Sequence, residues 1–352
     1  MTRAFTHEGH PARVLFERGA VTRVAEEVDR LGTRRAFVIG NATLGGVVAE
    51  MLGARLAALH SEIVMHVPVE TARAARERAM ASGADGLVAI GGGSAVGLAK
   101  AIARDTGLPI IALPTSYAGS EMTSIWGLTE GGEKTTGRDP KVRPKTVIYD
   151  PDLTASMPVP FAACSGLNAL AHAMEALYAR NVDPIVQLMA EESVRALATG
   201  LTGLVAEPKA LEPRAETFYG AWRAGGCLDR ATMGLHHKLC HVLGGSFRLP
   251  HAQVHSVVLP YVAAYNRDAA PDAMRRLARA LNGDDAPGAL FALARRVGAP
   301  ASLAELGLQH ADLDRVAALV TERPYDNPRP VEPSAVRALL ESALLGAAVT
   351  PA

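Results

Sequence analysis

Residues Gly234 to Ser256, GLHHKLCHVLGGSFRLPHAQVHS, hold five of the chain's eleven histidines: His236, His237, His241, His251 and His255. His237 and His241 are four apart, so on a helix they share one face. His251 and His255 repeat that spacing beyond Gly244 and Gly245, where a break is expected. A helix, a glycine turn and a second helix would point several imidazoles into one space. Imidazole ligates metals when neutral and moves protons near neutral pH. For any single ring, a hydrogen-bonded core position is the competing reading. For the set, density and helical spacing favour a site. A second constellation lies upstream: Asn168, His172 and Glu175 fall on one face of a helix predicted over Phe161–Ala179.

The other chemistry-bearing stretch is glycine-rich. Gly86–Ile90 (GLVAI) reads as a buried strand running into Gly91, Gly92, Gly93 and Ser94, and Ala95–Arg104 reads as a helix. Strand, glycines, serine and helix start make a phosphate cradle: backbone N–H groups approach an anion and the helix dipole favours it. A plain tight turn is the bland alternative. Pro109–Leu113, another buried strand, leads into Thr115, Ser116 and, further on, Ser120. Asn41 follows the strand Ala36–Gly40 and suits either a ribose contact or the cap of the next helix. The loop Glu130–Lys145 carries Lys134, Arg138, Lys141, Arg143 and Lys145, mostly solvated charges of which one or two suit cofactor phosphates or an anionic substrate.

The elements that must position these residues fall into two halves. Residues 1–153 alternate strands with helices, the pattern of a parallel, doubly wound α/β domain; further strands are expected at Arg13–Phe16, Ile63–Val67, Ser124–Thr129 and Thr146–Ile148. Ligands in such sheets sit beyond the strands' carboxyl ends, where Asn41, Gly91–Ser94 and Thr115–Ser120 all lie. Residues 154–352 read as an all-α domain, and a cleft between the two domains is the expected active site. With 352 residues and 49% hydrophobic content, two cores are affordable. A formal net charge of zero without a basic run argues against nucleic acid. Three cysteines without metal or disulfide spacing fit a reducing compartment. Neither a signal peptide nor a membrane span is expected, so the cytoplasm is the expected location.

These residues resemble the iron-containing alcohol dehydrogenase superfamily and, within it, the maleylacetate reductase family. The carriers are GGGSAVGLAKAIA (Gly91–Ala103), LPTSYAGSEMTSIWGLTE (Leu113–Glu130), KTTGRDPKVRPKTVIYDP (Lys134–Pro151), SGLNALAHAMEALYA (Ser165–Ala179), the histidine stretch through Val262, and NPRPV (Asn327–Val331). The resemblance implies the two-domain fold shared with dehydroquinate synthases, an NADH or NADPH cofactor, and a homodimer. Metal-using members hold their ion with an aspartate and three histidines. The matching positions are Asn168, His172, His237 and His251, so an amide replaces the carboxylate. Many metal-using members also carry aspartate where this chain has Gly97. No tightly bound metal is therefore expected. The implied substrate is the dicarboxylate maleylacetate. Its implied catalytic set is Asn168, His172, His236, His237, His241 and His251: His237 and His251 on the enolate, His172 and Asn168 in support, His241 delivering a proton and His236 touching substrate. Asn41, Gly91, Gly92, Gly93, Ser94, Thr115, Ser116, Ser120 and Lys134 match nucleotide-contacting positions. An amide at position 41 does not repel a 2′-phosphate, so some NADPH use is expected. A metal-dependent alcohol dehydrogenase is the alternative.

Overall fold

The structure, a computed structural model, describes residues 5–7, 9, 12–131 and 133–349. It divides into two compact units, Glu8–Met157 and Pro158–Ala352, the second also taking in the N-terminal segment through His7. His7 Nδ1 lies 2.8 Å from Asp183 Oδ2. The expected boundary after residue 153 falls instead inside a 3-10 turn, Pro151–Thr154. That turn belongs to the α/β unit because Asp150, its cap, also accepts from Gly19 N and Val21 N.

In the α/β unit the elements run β1 (Arg13–Phe16), α1 (Val24–Arg30), β2 (Ala36–Ile39), α2 (Ala42–Leu52), β3 (Leu56–His60), α3 (Val69–Ala81), β4 (Gly86–Gly91), α4 (Gly93–Thr106), β5 (Ile110–Pro114), β6 (Ile125–Glu130), β7 (Glu133–Arg138) and β8 (Thr146–Tyr149). One sheet has the order β1-β8-β5-β4-β2-β3, every pair parallel. Its strands are apolar on both faces because helices cover both. Phe37, Ile39, Leu87, Ala89 and Ile110 point to the side of α3 and α4. Their neighbours Ala36, Val38, Val88, Ile90 and Ile111 point to the side of α1 and α2. From β2 the chain goes outward to β3 on one side, then returns to β4 on the other. The order reverses between β2 and β4, and the crevice beyond their carboxyl ends is where such sheets take ligands.

Two expectations fail locally. The expected strand Ile63–Val67 is loop: His66 and Val67 have φ of 66° and 51°, which no strand permits. The strand is β3, earlier in the chain, whose Leu-Ala-Ala-Leu composition hides it. The loop expected over Glu130–Lys145 contains β7, which pairs antiparallel with β6.

The second unit is helical: α5 (Val159–Tyr178), α6 (Pro184–Ala206), α7 (Leu211–Arg230), α8 (Leu235–Ser246), α9 (His251–Asn266), α10 (Pro271–Ala280), α11 (Ala286–Arg296), α12 (Leu313–Thr321) and α13 (Pro333–Leu345). Helix α5 is buried on every side from Ala162 to Leu177. A helix apolar all round belongs at the centre of its unit, and α5 packs against α6, α7 and α9. Among the described residues no helix is long and apolar enough to cross a membrane.

Candidate active site

The histidine stretch folds as two helices, but the break is not at the glycines. Helix α8 continues through Gly244 and Gly245 to Ser246, and α9 begins at His251 behind Pro250. The chain turns at Arg248, whose φ is 56°. Proline at the α9 N-cap needs no N–H partner there, so it sets the start better than the glycines set a stop. Across this turn the rings meet in a continuous array. His241 lies 6.3 Å from His237, centroid to centroid; His237 lies 4.9 Å from His172 and 5.2 Å from His255. His255 lies 4.9 Å from His236 and 4.6 Å from His251. His241 and His251 are exposed; His172, His236, His237 and His255 are buried.

Hydrogen bonds divide the buried rings into two pairs. His172 Nδ1 is 2.8 Å from His237 Nε2, and His236 Nε2 is 2.9 Å from His255 Nδ1. Burial, reinforced by the neighbouring imidazoles, holds His236 and His255 far below the ordinary histidine range. Both stay neutral. The outer nitrogens of this pair, His236 Nδ1 and His255 Nε2, are buried with no hydrogen-bond partner among the described residues. His236 was expected to touch substrate; its complete burial and its bond to His255 place it behind the exposed rings instead. Cys240 Sγ lies 3.6 Å from His236 Nε2, and His236, Cys240 and His255 offer donor atoms within 4.8 Å of one another. The imidazole bond occupies one nitrogen of each ring, and burial keeps Cys240 a thiol.

Two residues of the array lie outside the expected set. One is His255, one helical turn after His251. The other is Glu175, one turn after His172 on α5, fully buried. Helix α8 starts at Gly234, which has no side chain to cap it, and Glu175 supplies the cap from another helix. Its Oε2 accepts from Gly234 N and its Oε1 from His236 N, each at 2.9 Å. The negative charge also suits the positive end of the helix. Glycine at 234 keeps this junction close: a Cβ there would meet Asp326 O at 3.0 Å and Glu175 Oε1 at 3.2 Å, so a larger residue would push these neighbours aside. A carboxylate within the apolar run Ala162–Leu177 was the sequence signal for it.

In the α/β unit Asn41, Gly91–Ser94 and Thr115–Ser116 follow the carboxyl ends of β2, β4 and β5, whereas Lys134 lies on the separate β6-β7 hairpin. Asn41 caps α2, its Oδ1 accepting from Leu44 N at 2.8 Å; of its two readings, capping is the one the geometry displays. Gly91 ends β4 with φ 151°, a conformation that favours glycine, and Gly92 is the α4 N-cap. Gly93 and Ser94 open the helix, whose first N–H groups lack intrahelical acceptors. Thr115 N donates to Gly91 O at 3.0 Å, so the β5 turn lies against the glycines. A Cβ on Gly92 would meet Ser116 Oγ at 3.2 Å, so the glycine lets the turn after β5 pack close to it. Ser120 is held by Lys100 Nζ, 2.6 Å from its carbonyl. These features fit a dinucleotide pyrophosphate. Lys134 lies on β7 opposite Thr129; the expectation for its side chain falls outside the described atoms.

The metal positions fit less well. Asn168 Oδ1 is buried without a hydrogen-bond partner among the described residues, an acceptor that a cation would satisfy. Yet His237 Nε2, the nitrogen turned away from Glu175, is engaged by His172 Nδ1. The set Asn168, His172, His237 and His251 also contains no carboxylate to offset a cation's charge.

The chain matches the family descriptions "Iron-containing alcohol dehydrogenase" over residues 11–151 and "Fe-containing alcohol dehydrogenase family, C-terminal" over residues 162–344. It belongs to the iron-containing alcohol dehydrogenase family, and its parallel-sheet and helical domains are those expected from the sequence. Within that family it is 50% identical over 346 residues to the maleylacetate reductase of Burkholderia cepacia, covering 97% of this chain and 98% of that one. The crystal structure of maleylacetate reductase from Rhizobium sp. strain MTP-10005 matches with a TM-score of 0.96 at 48% identity, over 99% of this chain and 100% of that one. A putative alcohol dehydrogenase from Ralstonia eutropha JMP134 matches with a TM-score of 0.97 at 49% identity, over the same shares. The sequence resemblance to maleylacetate reductases is thus borne out, and NAD(H) use fits the family. The family descriptions name iron, so these relatives lend no support to the expected absence of a tightly held metal.

Proposed function

We propose that the chain reduces the carbon–carbon double bond of maleylacetate with NADH or NADPH, giving 3-oxoadipate in the breakdown of aromatic compounds. The nicotinamide supplies the hydride. Hydride adds to the alkene carbon β to the ketone, negative charge gathers on the ketone oxygen as an enolate, and a proton is added at the neighbouring carbon. The observation that carries the reading is Asn168 beside mutually bonded imidazoles. An enolate delocalises its charge, so hydrogen-bond donors can stabilise it without a Lewis acid. His251 and His241, the exposed ends of the array, take the enolate and proton-delivery roles. His172, His237 and Asn168 support them from within. The backbone of Gly91–Ser94 holds the pyrophosphate, with Thr115, Ser116, Ser120 and Lys134 around the nucleotide. Asn41 carries no charge to repel a 2′-phosphate, so NADPH works as well. A preference for NADH beyond about a thousand-fold, roughly 4 kcal/mol, would contradict that assignment. The proposal extends to a cytoplasmic homodimer without tightly bound metal, and light scattering checks the assembly.

The second reading is a metal-dependent alcohol dehydrogenase, favoured by the family descriptions and by the three histidines at the ligand positions. One experiment separates the two. NADH absorbance is followed with fresh maleylacetate, with and without a strong chelator, and the product is identified by mass. Chelator-resistant turnover to 3-oxoadipate is the expected result. Turnover abolished by chelator and restored by zinc or ferrous ion selects the metal reading. Reduction of simple aldehydes but not of maleylacetate removes the substrate assignment.

A further inference from the structure

We infer that the cavity beside the first turn of α8 seats one carboxylate of the substrate, with Arg323 as its cationic anchor. The ligand's identity rests on the reductase reading; the cavity does not. The segment between α12 and α13 bounds a cavity of about 270 Å³, whose lining includes Arg323, Tyr325, Asn327, Arg329 and Val331. Arg323 is exposed and makes no hydrogen bond or ion pair among the described residues. Arg329 lies over the Tyr265 ring, 4.4 Å from its centroid, and its Nη1 donates to Tyr265 O at 3.4 Å. Most of its donors remain to be used. Tyr325 Oη is buried with no partner among the described residues, a donor that costs free energy until it is matched. The set is thus rich in donors and short of an acceptor. Guanidinium forks suit a planar carboxylate, and charge-assisted bonds to it are the strong ones. The acidic neighbours compete little: Asp326 lies 4.0 Å from Arg180, and Glu322 is exposed, where solvent and salt screen its charge.

The walls are fixed before any ligand arrives. Asn327 Nδ2 donates to Asn266 Oδ1 at 2.7 Å, and Asn266 Nδ2 returns a bond to Asn327 Oδ1 at 3.2 Å. Tyr265 Oη donates to Pro330 O at 2.7 Å. Pro324, Pro328 and Pro330 restrict the backbone between these ties. Asn327 also touches the helix that bears the rings: its Oδ1 accepts from Leu235 N at 3.4 Å, two residues before His237. A carboxylate in the cavity is therefore held in register with α8. From Leu235 to His241 that helix rises about 9 Å. An extended six-carbon diacid is of this length, so a molecule anchored at Arg323 has the reach to lay its ketone and alkene along the helix toward His241. The cavity also supplies what the imidazole array lacks. Asn168, His172, His236, His237, His241, His251 and His255 include no permanent cation, and a dianionic substrate calls for one.

The test uses the full-length protein and Arg323→Gln, a change at an exposed, unpaired side chain that folding should tolerate. Calorimetric titration with adipate, an unreactive six-carbon dicarboxylate, reads the site without turnover. In Arg323→Gln the affinity for adipate should fall about 10- to 100-fold, and KM for maleylacetate should rise by a similar factor. KM for NADH should move less than about threefold, which separates lost substrate binding from a general disturbance. A variant within about threefold of the parent for both dicarboxylates overturns the inference. Inorganic phosphate distinguishes a general anion site from a substrate site. If Arg323→Gln weakens phosphate binding but leaves adipate and maleylacetate unchanged, the substrate assignment is overturned. If the parent does not turn over maleylacetate, the reductase reading fails and the adipate titration still decides. Adipate bound by the parent and lost in the variant keeps a dicarboxylate in the cavity; adipate that the parent does not bind removes it.

Discussion

At position 168 one atom separates two chemistries. Asn168 Oδ1 is a neutral, buried acceptor without a partner among the described residues. Asn168→Asp would put an uncompensated charge there. The metal-free variant should lose about 3 kcal/mol of stability, and zinc or ferrous ion should restore it. Thermal melts and metal analysis after dialysis check this; a variant that neither weakens nor takes up metal would show that the array cannot be converted. The buried pair His236 and His255 makes a pH prediction. Both rings stay neutral in the fold, far below the ordinary value of 6.5. The unfolded chain gains protons as pH falls through that value and the folded chain does not. Stability is therefore fully present above about pH 6.5 and declines below it, by at most about 1.4 kcal/mol per pH unit for each ring. His60 in the α/β unit shifts in the same direction, so the comparison is with His255→Asn, whose stability curve should be flatter. Melts from pH 7.5 to 5 with equal slopes for both proteins would contradict it. Much of this site was legible, since i, i+4 histidine spacing is a local property of helices. Glu175 was harder: its partner Gly234 lies 59 residues away, and no periodicity reports a helix capped by a different helix.

Among the elements, α4 does more than present its first turn. Lys100, completely buried in its middle, is an ammonium surrounded by the loop that follows β5. It donates to Thr123 O at 2.8 Å, Thr123 Oγ1 at 2.9 Å and Ile125 O at 2.8 Å, besides Ser120 O. The loop thus folds around a cation borne by the helix it must face. Lys100→Met should cost about 3 kcal/mol, because the buried Thr123 O loses its ammonium donor, while Ser120 O keeps only Thr123 N and Thr123 Oγ1. It should also weaken NADH binding, because Thr115–Ser120 lose their anchor. Denaturant melts and a fluorescence titration with NADH measure the two effects, and unchanged affinity would detach the loop from the cofactor. Lys100 was read only as part of a helix, since nothing local marks a buried lysine. The core strands β2, β4 and β5 were legible because both-face burial writes continuous apolar runs. Strand β3 was not, because its residues are equally good helix formers. The stop of α8 was misplaced because its two glycines are tolerated inside the helix, while proline and a left-handed Arg248 do the breaking.

At the scale of the molecule, each unit carries its own core and its own candidate ligand surface, so each can be interrogated separately. The sheet reverses its strand order beside the glycine turn, and the helical unit gathers rings from three helices. Hydrogen exchange reads both surfaces in one experiment. NADH at about a hundred times its Kd should stabilise the amides it covers by up to about 2.7 kcal/mol against local opening. That protection should centre on Gly91–Val96, with a smaller effect at the start of α2. A saturated dicarboxylate resembling the product should instead protect the turn joining α8 to α9, where His241 and His251 are exposed. Tight coupling of the ligands would appear as extra protection when both are present. NADH protection confined to the helical unit, with Gly91–Val96 unchanged, would remove the phosphate-cradle assignment. Dicarboxylate protection that spares the α8–α9 turn would remove the exposed imidazoles from the substrate site, leaving them as surface groups beside buried, mutually bonded rings.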